Sequence, residues 1–232
     1  MKIGGLQKVT LVDYPGKIAC TVFLSGCNFR CPFCYSKELV LPVDIKKQPE
    51  IDSKKFFAFL KERKGMIDAC VLCGGEPTIN NDLKGFIKEI KKIGYLIKLD
   101  TNGYLSERLK ELIDENLLDY IAMDVKSCFK DYSLATGINI DISKIKESIG
   151  LIKNSGIDYE FRTTIVLGIH TKESIVEMAN DIGKAKKYFL QTFHGEKETI
   201  DPAYTNLKPF PEEDLKEVLK EFSFLFEIIK IR

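Results

Sequence analysis

No stretch of this sequence approaches the roughly 20 consecutive apolar residues that a helix needs to cross a bilayer. The opening, Met1–Lys8, lacks the apolar core of a secretory leader, so a cytoplasmic location is expected. An excess of one charge is missing too. The 35 Lys and Arg residues balance 34 Asp and Glu residues, for a formal net charge of +1. Neither a nucleic-acid partner nor a membrane surface is therefore expected. Most Lys and Glu residues fall on the polar faces of helix-like runs, as in Lys84–Lys92, and read as solvated. No internal repeat, low-complexity segment or long linker breaks the chain.

What the sequence has is alternation. Strand-like apolar runs occur at Ile18–Leu24, Ala69–Leu72, Leu96–Leu99, Tyr120–Val125, Tyr159–Val166 and Tyr188–Phe193. Between them lie runs at helical spacing: Lys54–Arg63, Leu83–Ile93, Ser106–Asn116, Ser143–Asn154 and Lys172–Lys184. Asp52 or Ser53 suits the start of the first helix, Gly94 the end of the second and Ser106 the start of the third. A last helix is expected from Pro211 to about Phe222. Six strands alternating with helices imply an α/β fold with a parallel sheet and right-handed crossovers. A doubly wound sheet and an open, partial (β/α)6 barrel of TIM type both fit, since six units fall short of a closed barrel's eight. The expected layout is one domain over 1–232: an N-terminal hairpin or edge extension at 1–17, a core at 18–194 and a helix-bearing extension at 195–232. Asp13-Tyr14-Pro15-Gly16 is the expected turn of the first part.

Seven cysteines in a reducing compartment do not suggest a disulfide framework. Three of them, Cys27, Cys31 and Cys34, follow the first strand in C-x3-C-x2-C spacing. Thiolates on one loop can converge on one metal centre, and their softness suits zinc or iron–sulfur. Structural zinc takes four closed ligands. This loop supplies three, and the two histidines, His170 and His194, are distant in sequence. Three thiolates on a four-iron cubane leave one iron without a protein ligand, open to a substrate. The plain alternative is zinc completed by a distant Cys. A second C-x2-C, Cys70 and Cys73, lies in an apolar run, where residues three apart face opposite ways and one metal cannot easily take both. Cys70 reads as core and Cys73 is left open. Cys20 and Cys128 read as isolated thiols.

With Phe33 before the last Cys, this spacing is identified as the signature of the radical S-adenosylmethionine (SAM) superfamily. Gly74-Gly75-Glu76-Pro77 resembles the family's GGEP loop beside the SAM amino group. Asp100-Thr101-Asn102-Gly103 and Asp124-Val125-Lys126 look like the activating enzymes of glycyl-radical proteins. The opening, Gly4-Gly5-Leu6-Gln7-Lys8 through Asp13-Tyr14-Pro15-Gly16-Lys17, is similar to activators of anaerobic ribonucleoside-triphosphate reductase. The family fold is the open (β/α)6 barrel, in agreement with the six units counted above.

Each motif ends a strand-like run, so all should meet on the one face where such barrels place active sites. The expected site follows. Cys27, Cys31 and Cys34 hold a 4Fe-4S cluster and count as both metal ligands and catalytic residues. Phe33, Tyr35, Gly74, Gly75, Glu76, Asp100, Asp124, Lys126, Arg162 and His194 are the candidate SAM-binding residues. Gly74 and Gly75 let backbone approach a ligand. Glu76 either accepts from an ammonium group or braces its loop. Asp100 and Asp124 are either helix caps or SAM-site carboxylates, the latter joined with Thr101 by a monovalent cation. Lys126 is a surface residue or meets the SAM carboxylate or an entering peptide. Arg162, inside an apolar strand, needs an anion: the SAM carboxylate, Glu76 or a structural partner. His194 matches in position a histidine near SAM in pyruvate formate-lyase activators, although its Gln-x-Phe lead-in is more like the reductase group.

The resemblance implies reductive cleavage of SAM to methionine and a 5′-deoxyadenosyl radical. That radical takes hydrogen from a glycine of a partner protein, with a flavodoxin- or ferredoxin-type electron donor. Anaerobic ribonucleoside-triphosphate reductase is the expected partner. The alternatives are pyruvate formate-lyase-type activation, a radical SAM reaction on a small molecule such as a deazapurine precursor, and a zinc-stabilised binding module.

Overall fold

The computed structural model describes all 232 residues. In chain order the elements are β1 (Ile3–Thr10), β2 (Ala19–Leu24), α1 (Lys37–Val40), α2 (Pro42–Ile45), α3 (Ser53–Glu62), β3 (Ala69–Gly74), α4 (Leu83–Ile93), β4 (Leu96–Thr101) and α5 (Ser106–Asp114). Then come β5 (Tyr120–Asp124), α6 (Tyr132–Thr136), α7 (Ile142–Asn154), β6 (Asp158–Ile165), α8 (Lys172–Ile182), β7 (Ala185–Thr192), α9 (Glu212–Phe222) and β8 (Phe226–Ile231). All eight strands join one sheet in sequence order, with β1 and β8 at its two edges. The sheet therefore curls as a partial barrel and stays open between those edges. β1 runs antiparallel to β2, and every later pairing is parallel.

The six expected core strands all form, as β2 to β7. The segment 195–232 carries one element more than the expected helix. It holds the expected helix α9 and also β8, a further parallel strand on β7. Phe226–Ile231 is a short run straight after a helix, and what makes it a strand is the free β7 edge.

Strand parity sorts the side chains into two environments. One set, including Cys20, Val22, Cys70, Leu72, Ile97, Leu99, Ile121, Met123 and Phe161, packs with helix residues such as Phe56, Leu60, Ile87, Ile90, Leu109 and Ile149 in a large core. The alternate set faces the lumen. There a small apolar cluster of Tyr14, Ala19, Ala69, Val71 and Tyr120 is kept apart from the main core. Cys70 and Cys73 consequently fall on opposite faces, with Cys73 lining the lumen.

Helix ends follow local chemistry. Asp52 accepts from Lys54 N at the start of α3, and Gly94 closes α4 with φ 110°. Ser106 is not a cap: its hydroxyl donates to Glu147 at 2.5 Å.

His170, in the turn after β6, is buried. Its Nδ1 accepts from Val166 N–H at 2.9 Å, so Nε2 carries the proton and donates to the Lys126 carbonyl, also at 2.9 Å. Burial pushes its pKa below the ordinary value. The unfolded chain then binds more protons than the native chain, so stability is lost as pH falls through the unfolded value of about 6.5. The urea midpoint should drop between about pH 7 and 5 in the wild type, and the drop should shrink in His170→Gln.

Candidate active site

The C-terminal strand ends surround a cavity of about 560 Å³. Cys27, Cys31 and Cys34 line it, with Cys73 to Glu76 at the end of β3, Asp100 to Asn102 at the end of β4, Asp124 and Lys126 at the end of β5, Arg162 and Thr164 on β6, and Gln191 to His194 at the end of β7. Every residue expected at the site is thus brought to one cavity, although not all in the expected way. A second cavity, of about 630 Å³, lies outside the barrel against α3 and α4. It is lined by acidic residues including Glu50, Asp52, Asp82 and Glu89, and shares no residue with the strand-end face.

The cysteine loop leaves β2 through Gly26, whose φ is 100°. Three contacts fix it. Gly26 N donates to Leu39 O at 2.7 Å, Glu76 N donates to Gly26 O at 2.7 Å, and Arg30 N donates to Thr136 O at 2.8 Å. A Cβ on Gly75 would strike the Gly26 carbonyl, so the Gly-Gly pair lets one backbone pack on the other. A Cβ on Gly137 would likewise strike the Arg30 carbonyl. All three thiols are free of disulfides. Burial pushes Cys27 up to about 11 and Cys31 up to about 12, and raises Cys34. A thiolate there calls for a cationic centre to offset its desolvation. No three or more His, Cys, Asp or Glu side chains gather round one ion-sized point. Soft donors, three in number, on one cavity wall fit a cluster better than a four-ligand zinc cage.

Glu76 is wholly buried. Its Oε1 accepts from Thr78 N (3.0 Å), Thr78 Oγ1 (2.6 Å) and Thr101 Oγ1 (2.7 Å), and its Oε2 from Asn102 N (2.6 Å). Burial raises its pKa despite these donors. Of the two roles open to it, bracing is the one its hydrogen bonds fill. Asn102 Nδ2 in turn donates to Asn28 Oδ1 at 2.8 Å. Glu76, Asn102 and Asn28 thereby tie three motif loops together. Neither asparagine was among the expected site residues, since only the folded loops bring them within reach of each other. Glu76→Gln places an amide donor among four donors and should cost about 1–3 kcal/mol in urea unfolding.

The lumen below holds a ladder of charges. Arg162 Nε meets Asp124 Oδ1 at 2.9 Å, and its Nη1 meets Asp100 Oδ2 at 3.0 Å. Lys126 Nζ lies 3.1 Å from Asp124 Oδ2, and Lys98 is salt-bridged to Asp100. Burial alone would raise the Asp124 pKa, but Arg162 and then Lys126 outweigh it and hold the carboxyl down to about 2. For Lys126 burial works downward, and Asp124 more than reverses it. Four readings change here. Asp100 and Asp124 are not helix caps, because both point at Arg162. Arg162 is paired with these carboxylates and not with Glu76. Lys126 is no surface lysine, with its side chain 17% exposed. Thr101 turns to Glu76, and the Arg162 guanidinium stands between the two carboxylates.

The remaining candidates lie at the rim. Phe33 is buried edge-on against Phe193, with ring centroids 6.3 Å apart, whereas Tyr35 and His194 are exposed. Cys73, beside Asp100 and Arg162, is pushed up to about 12 by burial and by Asp100. Sequence reasoning missed Arg232, which reaches the cavity from the end of β8.

Residues 21–182 match the family model described as the radical SAM superfamily. The chain belongs to the radical SAM superfamily. More narrowly, it is 32% identical over 226 residues to a protein of Methanocaldococcus jannaschii named as a glycyl-radical enzyme activating enzyme, covering 94% of this chain and 90% of that one. A Sulfolobus acidocaldarius protein named as a GTP 3′,8-cyclase is 31% identical over 137 residues, with 57% of this chain and 41% of the relative covered. In fold, Streptococcus suis SuiB bound to S-adenosylmethionine superposes with a TM-score of 0.66 at 14% identity, covering 91% of this chain and 51% of that one.

Proposed function

We propose that this radical SAM enzyme activates a glycyl-radical protein, and that the protein is an anaerobic ribonucleoside-triphosphate reductase. The observation that carries the reading is the meeting, in one cavity, of three free thiols with the motif residues of separate strand ends. The relative from Methanocaldococcus jannaschii supports the glycyl-radical partner. The Gly4–Lys17 opening favours the reductase over pyruvate formate-lyase. The match to a cyclase spans under half of that relative, so it supports shared chemistry and not a shared substrate.

Cys27, Cys31 and Cys34 would hold the 4Fe-4S cluster and leave one iron open for the SAM amino and carboxylate groups. When bound, cluster and SAM supply a one-electron cleavage whose 5′-deoxyadenosyl radical takes a hydrogen atom from the partner's glycine Cα. The chain's own residues position and shield. Gly74 and Gly75 present backbone without side chains. Glu76, through Thr101 and Asn102, fixes the loops behind the ligand. Lys126 and Arg162, held charged by Asp124 and Asp100, give the cavity a preset field for a carboxylate. Tyr35 and His194 stand where ligand and partner would meet. The segment after β7 closes one side of the mouth, because Ile200 N donates to Cys34 O and Asp201 N to Pro32 O, each at 2.9 Å.

Anaerobic reconstitution with iron and sulfide should give a brown protein that forms 5′-deoxyadenosine and methionine from SAM after reduction. A protein that takes up only zinc and forms no 5′-deoxyadenosine contradicts the reading.

A further inference from the structure

The cationic side chains around the cavity are separated by their exposure. Lys98 is 2% exposed, Arg162 14% and Lys126 17%, each ion-paired with Asp100 or Asp124. Arg232 is 44% exposed and lines the same cavity from the β8 edge of the sheet. Its one acidic partner is Glu160, with Nη1 3.3 Å from Oε1. Glu160 Oε2 also accepts from Tyr120 OH at 3.1 Å and Arg162 lies 3.9 Å from Oε1, so the pair occupies one of the five donors of Arg232.

The guanidinium is nevertheless held in place. Its carbon sits 3.3 Å from the centroid of the Phe189 ring. The backbone is locked to β7 on both sides, because Arg232 N donates to Leu190 O and Thr192 N donates to Arg232 O, each at 2.8 Å. A rigid fork with most of its five donors unspent, aimed into a reaction cavity, suits an incoming carboxylate, which it can grip with two parallel hydrogen bonds.

We infer that Arg232 is a specificity-determining residue that anchors an acidic side chain of the substrate polypeptide, flanking the glycine that enters the cavity. The inference rests on the glycyl-radical reading, and it adds the chemistry by which the partner is chosen.

The test uses the reconstituted protein with SAM and a set of fluorescent glycine-centred peptides. A single glutamate is walked along the flanks, and each peptide is paired with its glutamine twin. At one position the wild type should bind the glutamate peptide roughly tenfold more tightly than its twin, as expected for one charge-assisted pair. Arg232→Met should lose the preference and Arg232→Lys keep part of it, while the cluster's absorption and EPR spectra stay as in the wild type. No preference at any position in the wild type, or an undiminished preference in Arg232→Met, overturns the inference. Failure of the glycyl-radical reading shows separately. A wild type that raises a glycyl doublet on a partner but ignores the glutamate overturns the anchor alone, whereas 5′-deoxyadenosine formed without a doublet on any partner overturns the glycyl-radical reading.

Discussion

Cys31→Ser should bind no redox-active cluster and form no measurable 5′-deoxyadenosine. Cys31 is the most buried of the three thiols, at 8% exposure, and burial pushes its pKa up to about 12. Its thiolate is therefore stable only against a metal centre. A serine hydroxyl is a harder donor with a higher pKa, and the loop has no slack to re-aim it, since Arg30 N is bonded to Thr136 O and Cys34 N to Cys31 O. The loss should far exceed the roughly 10–100-fold seen when groups merely supporting a metal ligand are removed. Iron analysis and chromatography of SAM products after anaerobic reconstitution check it. Cys70→Ser is the control. Cys70 is wholly buried on the opposite face of the sheet, so its loss should cost stability and leave the iron count unchanged.

Arg162→Met should destabilise the fold by about 3–5 kcal/mol, the usual cost of removing one partner from a buried ion pair. One guanidinium serves Asp100 and Asp124 and lies near Glu160. Without it, Asp100 keeps only Lys98 and Asp124 only Lys126. Asp124→Asn in the same chain should recover part of the loss, because it removes a charge that Arg162 had balanced. Arg162→Lys should recover less than its charge suggests, since an ammonium cannot reach both Asp100 and Asp124 in the geometry of the planar fork. Urea unfolding of the four proteins measures this. A loss below about 1 kcal/mol in Arg162→Met would mean that the ladder is solvated and not structural.

The thiol spacing, the parallel strands and the strand-end placement of Asp100, Asp124 and Gly74-Gly75 were legible because each rests on local pattern. Strand period 2 fixes that Cys70 and Cys73 part company, and a guanidinium inside an apolar strand marks Arg162 as needing an anion. The partners themselves were not legible. Which carboxylate meets Arg162 depends on the register of β4, β5 and β6, where Asp124 lies beside Arg162. Glu76 in a Gly-Gly-Glu-Pro loop reads equally as a ligand-facing acid or a brace, and only the folded positions of Thr78, Thr101 and Asn102 spend its oxygens. β8, and with it Arg232, depends on an edge that exists only once β7 is in place.

The most direct test of the account is an EPR spectrum. Reduced, reconstituted protein with SAM is incubated with anaerobic ribonucleoside-triphosphate reductase and with other candidate glycyl-radical proteins, then frozen. The account predicts a glycyl doublet on the reductase, formed with 5′-deoxyadenosine and lost when the accepting glycine is replaced by alanine. Production of 5′-deoxyadenosine without a doublet on any of these proteins would contradict it.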